Sequence, residues 1–209
     1  MPADYETARV AVDPVVFTVA GKELLVLLNT REKAPFAGRH ELPGGLLLKG
    51  EEPEAELERK LRRLFNNRNV YFTQFRTFYE SSRDPRMRTV SMGYLALVPQ
   101  EMVSDRSVWF SASKLPPLAF DHAAIIGEAR SYLKKNISAL IARQLLPARF
   151  PLNQLQQVYE AIEGIRYDNR NFRKKMLHEG IVEATSELMS GSSHRPPRLY
   201  KFKAQVRKS

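Results

Sequence analysis

A run of basic and amide side chains near the carboxyl end of the sequence has the chemistry to bind nucleic acid. Residues 169–175 read Asn-Arg-Asn-Phe-Arg-Lys-Lys. Arginine and lysine suit guanine edges and phosphates, and asparagine suits adenine. Asp168 suits the position that caps a helix, and Phe172, Met176 and Leu177 are apolar anchors within this run. The segment therefore predicts a recognition helix with its apolar side inward and its cationic side outward.

A second set of residues follows a pair of glycines in the first half of the chain. Gly45 is followed by five residues and Glu51, and seven further residues lead to Arg59. An amphipathic helix is predicted here, because Pro53 suits a first helical position and leucines recur at helical spacing. Acidic residues fill its early turns and basic residues its later turns, an order that complements the helix dipole. By itself, this pattern predicts a stable helix without chemistry.

The elements that would position this helix are strands. β-branched and aromatic runs bounded by turn signals mark them. The predicted strands are residues 15–19 and 24–28, which form a hairpin around the turn 20–23, and residues 46–48, 70–79, 90–98 and 108–110. Pro35 and Gly38 predict a loop over residues 31–40.

The second half predicts a winged helix-turn-helix. A mostly helical apolar stripe predicts one long linking helix at about residues 122–141, and residues 152–162 predict a shorter helix that Gly164 ends. After the basic helix, residues 181–185 and 199–202 predict two strands around a polar loop at 189–197. In this arrangement Arg195 and Arg198 lie on the wing, near backbone phosphates or the minor groove.

The charge of the chain is divided unevenly between these halves. The 209 residues carry a net charge of +10. Residues 1–116 contain 17 basic and 15 acidic residues, whereas residues 117–209 contain 16 basic and 8 acidic residues. This asymmetry predicts two domains with different partners, at 1–116 and 117–209, and favours nucleic acid as the partner of the second.

Several classes of protein are excluded or disfavoured by composition. The sequence has no cysteine, which excludes a disulfide scaffold, a thiolate zinc site and cysteine catalysis. No apolar run is long enough to cross a membrane, and the first residues do not resemble a secretory signal. We therefore expect a cytoplasmic protein without a membrane partner. The four histidines are scattered, and we interpret them as structural or surface residues.

The glycine pair and the helix that follows it resemble a Nudix box. That motif is glycine, five residues, glutamate, seven residues, then Arg-Glu-aliphatic-any-Glu-Glu-any-Gly-aliphatic. Gly45, Glu51 and Arg59 match it, and Leu61 supplies an aliphatic position. The upstream residues 35–45, Pro-Phe-Ala-Gly-Arg-His-Glu-Leu-Pro-Gly-Gly, are also similar to the family, which often has tryptophan in place of His40.

The sequence departs from the Nudix motif at the residues that bind metal. Lys60 replaces a glutamate, Arg63 and Leu64 replace the Glu-Glu pair, and Asn66 replaces the glycine. In active members, that pair holds Mg²⁺ or Mn²⁺ against a diphosphate. Arginine repels a cation and leucine offers no oxygen ligand. We therefore expect a Nudix fold with no metal site, no required cofactor and no efficient hydrolysis, which can still bind a nucleoside diphosphate.

The order of the two modules resembles the Nudix-related transcriptional regulators of the NrtR family. Further similar passages are residues 83–86, 118–122, 155–162, 168–177 and 198–202. The resemblance implies an α+β fold, with an N-terminal Nudix-like α/β/α sandwich and a C-terminal winged helix-turn-helix. It also implies a homodimeric bacterial repressor of NAD biosynthesis or salvage genes. Such a repressor binds double-stranded operator DNA and leaves it when ADP-ribose, or a related nucleotide, binds to the protein.

The candidate site residues follow from this interpretation. Candidates for binding a small-molecule effector are Arg31, Arg39, Glu51, Arg59, Arg63, Arg83, Arg86 and Arg88. Candidates for binding DNA are Asn169, Arg170, Asn171, Arg173, Lys174, Lys175, Arg195, Arg198 and Lys201. Three alternatives stay open: a sugar-sensing regulator of the same family, for example for arabinose; a Nudix hydrolase of nucleoside diphosphate derivatives; and an RNA-binding protein. Scarcity of exposed aromatic platforms argues against the last of these.

Overall fold

A long central strand, β1 (Arg9–Ala20), organises the first sheet in the computed structural model of the chain, which describes residues 5–103, 109–189 and 196–203. Most of its side chains are buried on both faces, as expected for a strand between two helical layers. A turn at Gly21, with a φ of +60°, connects it to the antiparallel strand β2 (Glu23–Leu27). The predicted hairpin is therefore confirmed, and its first strand begins earlier than predicted.

Six more strands belong to the first half of the chain. They are β3 (Asn29–Thr30), β4 (His40–Glu41), β5 (Gly45–Leu46), β6 (Tyr71–Phe78), β7 (Thr89–Leu97) and β8 (Trp109–Ser111). The sheet has the order β6-β7-β1-β2-β8, β5 also pairs with β1, and β1 runs parallel to β7. The strands predicted at 70–79 and 90–98 are confirmed. The one predicted at 108–110 corresponds to β8, although residue 108 lies outside the described residues.

Two helices cover the faces of this sheet. The helix α1 (Pro53–Leu64) begins at the predicted proline and buries Leu57 and Leu61 against Val12 and Val16. The helix α2 (His122–Lys135) packs on the opposite face. Its buried residues are Ile125, Ile126, Ala129 and Leu133, besides His122. The arrangement is a helix–sheet–helix sandwich, as predicted.

The single linking helix predicted at about 122–141 is wrong, because the structure divides it into two helices. After α2 ends at Lys135, a separate helix, α3 (Ala139–Arg143), begins. The Asn136 side chain donates a hydrogen bond to the carbonyl oxygen of Tyr132 at 2.8 Å. Its backbone N–H also donates to carbonyl oxygens of the last turn of α2, those of Tyr132 and Leu133. After the break Ile137 is only partly buried and Leu140 is exposed, whereas Ile141 and Ala142 are buried, so the buried face of α2 does not continue into α3.

The second half has the element order of a winged helix-turn-helix. After α3 come β9 (Phe150–Pro151), α4 (Leu152–Glu163), α5 (Asn169–His178), β10 (Val182–Leu188) and β11 (Arg198–Phe202). The strands form a sheet of order β10-β11-β9. Gly164, with a φ of +74°, ends α4 as predicted, whereas the short strand β9 was not predicted. The predicted α+β class is confirmed.

The two modules share one apolar core. It runs from β1 and α2 to α4, α5 and β11, and includes Val15, Ile126, Leu155, Phe172 and Tyr200. The division of the chain at residue 116 stays a prediction. The helix α2 follows that residue, yet it packs on β1, β6 and β7 of the first half and also contacts α4 of the second half. Among the residues that the structure describes, no helix has the length and apolar character to cross a membrane.

A buried carboxylate, Glu160 of α4, lies at the junction of the modules. It accepts hydrogen bonds from Gln156 Nε2 at 2.9 Å and from the Tyr167 backbone N–H at 3.0 Å. Lys22 Nζ, from the β1–β2 turn, lies 3.6 Å from its other oxygen. The hydrogen bond from Gln156, followed by that from Tyr167, holds the pKa of Glu160 below its ordinary value of 4.5.

Glu160→Gln should make the fold less stable at neutral pH and should remove part of its acid sensitivity. The pKa of Glu160 is lower in the folded state than in the unfolded state. The ionised carboxylate therefore stabilises the fold above pH 4.5, and this stabilisation is lost as the pH falls through the pKa that Glu160 has in the folded state. The melting temperatures of the wild-type chain and the variant, measured from pH 7 to pH 3, should therefore converge at low pH. A difference of constant size over this range would contradict this assignment.

Candidate functional site

A cavity of about 250 Å³ opens beside the glycine pair. Its walls come from β1, from the segment between β3 and β5, from the β6–β7 connection and from the start of α2. Four cationic side chains line it, namely Arg31, Lys33, Arg83 and Arg86, together with the carboxylates Asp13, Glu41 and Asp84. The excess of cations gives the cavity the chemistry to bind an anionic group such as a phosphate.

Carboxylates hold two of these guanidinium groups in place. Arg31 donates to Glu41 at 2.7 Å and to the carbonyl oxygen of Pro35 at 2.6 Å. Arg86 donates to the two oxygens of Asp84 at 2.9 and 2.7 Å. The hydrogen bonds from Arg86 lower the pKa of the Asp84 carboxyl, so this pair stays charged. Fixed guanidinium planes lose little freedom when an oxyanion binds.

A buried ionic network lies beneath the cavity and reaches the first residue before α2. Arg83 donates to both oxygens of Asp121 at 2.9 Å, and its Nη2 lies 3.4 Å from Asp13 Oδ2. The Ser91 hydroxyl donates to the same Asp13 oxygen. Asp13 also approaches the backbone closely, since a Cβ at Gly44 would lie 2.1 Å from Asp13 Oδ1. Only glycine fits at this point of the wall.

His122, at the start of α2, links that helix to the cavity. The residue is buried, and its Nδ1 accepts a hydrogen bond from the Leu42 backbone N–H at 3.0 Å. The histidine is structural, as we expected, and it also lines the cavity.

The structure brings three of the eight predicted effector residues into this cavity, Arg31, Arg83 and Arg86. The other five are placed elsewhere. Arg39 lies over the Phe36 ring and donates to Leu118 O, Glu51 accepts from the Leu48 N–H, Arg59 pairs with Glu56, Arg63 is exposed on α1, and Arg88 lies 3.7 Å from Glu6. Their part in effector binding stays a prediction.

The residues at the metal-binding positions of the Nudix motif do not fit a divalent cation. Lys60 Nζ donates to the carbonyl oxygen of Gly44 at 3.1 Å and lies 3.6 Å from Glu56 Oε1. Arg63 points to solvent, and Leu64 packs against the core beneath α1. Within the described ranges, no group of three or more histidine, aspartate or glutamate side chains could hold a metal ion. The ammonium group of Lys60 thus lies against the part of the cavity wall that Gly44 and Gly45 form.

Sequence reasoning missed several cavity residues, chiefly Asp13, Lys33, Glu41 and Phe120. Asp13 lies within an apolar strand, and a single acidic residue there has no recognisable pattern. Lys33 lies just before the motif-like residues 35–45 and Glu41 lies within them, so their closeness in sequence to Arg31 was the available signal.

The predicted recognition helix, α5, exposes its cations. Asp168 accepts a hydrogen bond from the Asn171 N–H at 2.9 Å, which confirms the predicted N-cap. Phe172 and Met176 are buried. The exposed side chains of the helix include the predicted DNA contacts Asn169, Arg170, Asn171, Arg173, Lys174 and Lys175. The exposed side of α5 thus carries four cations, Arg170, Arg173, Lys174 and Lys175, that a polyanion can reach.

The buried side of α5 is fixed by α4. The Phe172 ring lies 5.7 Å from that of Tyr159 and 5.3 Å from that of Tyr167, measured between centroids. Gln156 Nε2 donates to Asn169 Oδ1 at 2.8 Å, so this asparagine ties the two helices together. Burial and the hydrogen bond to the neighbouring Glu163 raise the pKa of Tyr167 to about 12. These contacts hold α5 at one orientation.

The wing supplies further cations beside α5. Arg198 and Lys201 are exposed on β11, and Lys201 Nζ lies 3.0 Å from Glu183 on β10. The Arg173 guanidinium lies 5.6 Å from the centroid of the Tyr200 ring, which connects the helix to the wing. Arg195, predicted to contact DNA, lies outside the described residues.

Comparisons with known proteins match both modules. The family model of the NrtR DNA-binding winged helix domain matches residues 142–202. The "ADPR responsive transcriptional repressor NtrR" of Acinetobacter baylyi is 32% identical over 215 aligned positions, covering 97% of this chain and 85% of the relative. Shewanella oneidensis NrtR complexed with a 27mer DNA has a TM-score of 0.79 at 31% identity and covers 93% of both chains. The NUDIX domain of the same protein complexed with ADP ribose has a TM-score of 0.51 at 31% identity, covering 62% of this chain and 90% of that one.

Proposed function

The chain belongs to the NrtR family of transcriptional regulators, and we propose that it represses genes by binding operator DNA and releases that DNA when it binds ADP-ribose. The observation that carries this proposal is the exposed cationic face of α5, held by α4 within a winged helix-turn-helix. In such modules the second helix enters the major groove and the wing lies near the backbone. The DNA complex of the similar Shewanella protein supports the same use of this module.

ADP-ribose is proposed as the effector on chemical grounds and by similarity. Its diphosphate is anionic, and the cavity presents Arg31, Lys33 and Arg86 around Arg83. Both the name of the Acinetobacter relative and the ADP-ribose complex of the Shewanella domain support this nucleotide. We propose that Arg31 and Arg86 donate to phosphate oxygens in the geometry that Glu41 and Asp84 fix. No other cofactor is required.

The proposal includes a homodimer that acts on bacterial DNA in the cytoplasm. Two copies of α5 related by a twofold axis would read two half-sites of a palindrome. The regulated genes are proposed to be those of NAD biosynthesis or salvage, since ADP-ribose is a breakdown product of NAD.

Release requires the effector to prefer one geometry of the modules over the other. The helix α2 is the proposed lever, because it starts at the cavity and contacts α4. Arg83 donates hydrogen bonds to Asp121, the residue immediately before α2. An anion that attracts Arg83 would therefore change the position of the first turn of α2. A shift of α4 would then alter the spacing of the two recognition helices in the dimer.

Hydrolysis of ADP-ribose is not part of the proposed function. With Lys60, Arg63 and Leu64 in place of carboxylates, these three positions supply no oxygen ligand for the Mg²⁺ that would activate water. In an assay with ADP-ribose and Mg²⁺ we expect no turnover near the ordinary enzyme range of about 1 s⁻¹ and above. Release of AMP and ribose 5-phosphate at such rates would show that the chain is a hydrolase.

The whole proposal is tested by the binding of labelled upstream duplex to the full chain, with and without ADP-ribose, at fixed salt. Specific binding that ADP-ribose abolishes is the expected result. Specific binding that ADP-ribose leaves unchanged would contradict the proposed effector, and absence of specific binding would contradict the regulator.

A further inference from the structure

The winged-helix part of the chain, residues 139–203, packs on the sheet part, residues 5–135, through apolar surfaces. The helix α4 contacts α2, β1 and β2, and the core that these elements share contains Val15, Ile126 and Leu155. Apolar contact has no preferred direction, so a packed helix can slide by a small amount over such a surface. The orientation of α4 on the sheet therefore needs a directional contact to fix it.

One ion pair supplies this directional contact. Lys22, in the β1–β2 turn, places its Nζ 3.6 Å from Oε2 of Glu160 on α4. Over the ranges that the structure describes, it is the only side-chain hydrogen bond or ion pair that joins residues 5–135 to residues 139–203. The side chain of Glu160 is 6% exposed, and that of Lys22 is 56% exposed. A buried carboxylate that loses its cation is destabilised, so this contact opposes movement of α4 away from the turn.

The carboxylate of Glu160 also helps to fix the start of the recognition helix. Its Oε1 accepts a hydrogen bond from Gln156 Nε2 at 2.9 Å, and the same amide nitrogen donates to Asn169 Oδ1 at 2.8 Å. Gln156 is buried, and Asn169 is the first residue of α5. Oε1 also accepts from the backbone N–H of Tyr167, in the connection between α4 and α5. The position of Lys22 is thus transmitted through two buried side chains to α5.

A cavity of about 320 Å³ opens at the Lys22–Glu160 contact. Both residues line it, together with Arg130 of α2 and Arg166 of the α4–α5 connection. This polar space has room for water, which can solvate the Glu160 carboxylate when it separates from Lys22. Separation therefore costs the free energy of a partly exposed ion pair and does not leave the charge in an apolar core. A contact of this strength can form in one geometry of the chain and break in another.

We propose that Lys22 is a positioning residue for DNA binding. Its contact with Glu160 holds α4 and α5 in the geometry that reads operator DNA, and the contact breaks in the geometry that ADP-ribose favours. This inference rests on the proposed function, since it concerns the two geometries between which ADP-ribose selects. Recognition of two half-sites by a dimer needs one fixed orientation of α5, and the network from Lys22 to Asn169 provides it.

Lys22→Met should increase the affinity of the full chain for ADP-ribose. Loss of the contact destabilises only the DNA-binding geometry, so a larger fraction of the chain adopts the geometry that ADP-ribose prefers. Calorimetry should show a dissociation constant about three- to fivefold lower, which is the range of a partly exposed ion pair. Operator DNA should be released at a correspondingly lower concentration of ADP-ribose, and operator affinity without ADP-ribose should not increase.

A gain of affinity is specific to the proposed role of Lys22. The residue does not line the cavity beside the glycine pair, so its effect on ADP-ribose is indirect. Simple loss of a cation would weaken the binding of an anionic ligand, and a damaged fold would weaken it as well. Because Lys22 is exposed in a turn, the variant should fold, and its melting temperature checks this.

Two further variants serve as controls. Arg130→Met removes one positive charge from the wall of the same cavity, and among the described residues Arg130 forms no ion pair with Glu160. Its ADP-ribose affinity should stay within about twofold of that of the wild-type chain. Lys22→Arg keeps the cation, and its ADP-ribose and operator affinities should match those of the wild-type chain.

The possible outcomes separate this inference from the proposed function. An ADP-ribose affinity that is unchanged or lower in Lys22→Met, or equally increased in Arg130→Met, would overturn the inference and leave ADP-ribose as the effector. Weaker operator binding with unchanged ADP-ribose affinity would show that Lys22 contacts DNA directly, and would also overturn it. If ADP-ribose neither bound the wild-type chain nor released its operator DNA, the proposed function would fail and this inference with it.

Discussion

Replacement of Arg173 and Lys174 by alanine together should raise the dissociation constant for operator DNA by at least about 30-fold, because each good contact of this kind is worth about 1–3 kcal/mol and two lost contacts cost about 2 kcal/mol or more. Both side chains are exposed on α5, and neither belongs to the apolar side that Phe172 and Met176 bury. Loss of phosphate contacts should also reduce the salt dependence, by about 0.9 in the slope of log K against log salt for each contact. ADP-ribose binding should be unchanged, since α5 lies outside the cavity.

A matched control removes the same two charges from the other module. Lys49 and Arg63 are exposed, and both lie in the first half of the chain. The double variant Lys49→Ala/Arg63→Ala should bind operator DNA within about twofold of the wild-type chain at the same salt. Equal losses in the two double variants would mean that net charge, and not α5, determines DNA affinity.

Arg83→Met should produce the largest loss of stability among the cavity variants. The side chains of Arg83 and Asp13 are 5% and 7% exposed, and Asp121 is 21% exposed. Removal of the guanidinium leaves two carboxylates without their partner, and loss of one member of a buried ion pair costs about 3–5 kcal/mol. For a chain of this length, such a loss lowers the melting temperature by about 6–20 °C. ADP-ribose binding should be lost as well, because Arg83 lines the cavity beside the glycine pair.

Arg86→Met provides the control for that variant. Arg86 also pairs with an aspartate in the cavity beside the glycine pair, but its side chain is 41% exposed. Exposed ion pairs contribute about 0–1 kcal/mol, so thermal unfolding should show a change of only a few degrees. Similar melting temperatures for the two variants would contradict the assignment of Arg83 as the centre of a buried network.

The elements with strong local signals could be predicted from the sequence. The hairpin around Gly21, the helix that begins at Pro53 and the helix that Asp168 caps all depend on turn residues, caps and apolar spacing within a few residues. The basic face of α5 follows from the same local pattern, because burial of Phe172 and Met176 leaves the cations on the outside.

Elements that depend on distant partners could not be predicted. The strands β3, β4 and β9 have two residues each, and β9 exists because Phe150 and Pro151 pair with β11 almost fifty residues later. The break after Lys135 was missed for a related reason. Apolar spacing over residues 122–141 does not reveal that Leu140 is exposed while Ile141 is buried.

The cavity could be predicted only in part. Arg31, Arg83 and Arg86 were among the candidate arginines, but their neighbours come from β1, two loops and the start of α2. Asp13 and Arg83 are 70 positions apart in the sequence and 3.4 Å apart in the fold. Such a contact depends on the register of β1 beside β7, which no local pattern encodes.

Coupling between ADP-ribose binding and release of operator DNA is tested most directly by a single titration. Labelled duplex bound to the full wild-type chain at fixed salt is titrated with ADP-ribose, and fluorescence anisotropy reports the bound fraction. We expect specific duplex to be released with a midpoint that matches the affinity of ADP-ribose measured by calorimetry. Specific duplex that stays bound at saturating ADP-ribose would contradict the account.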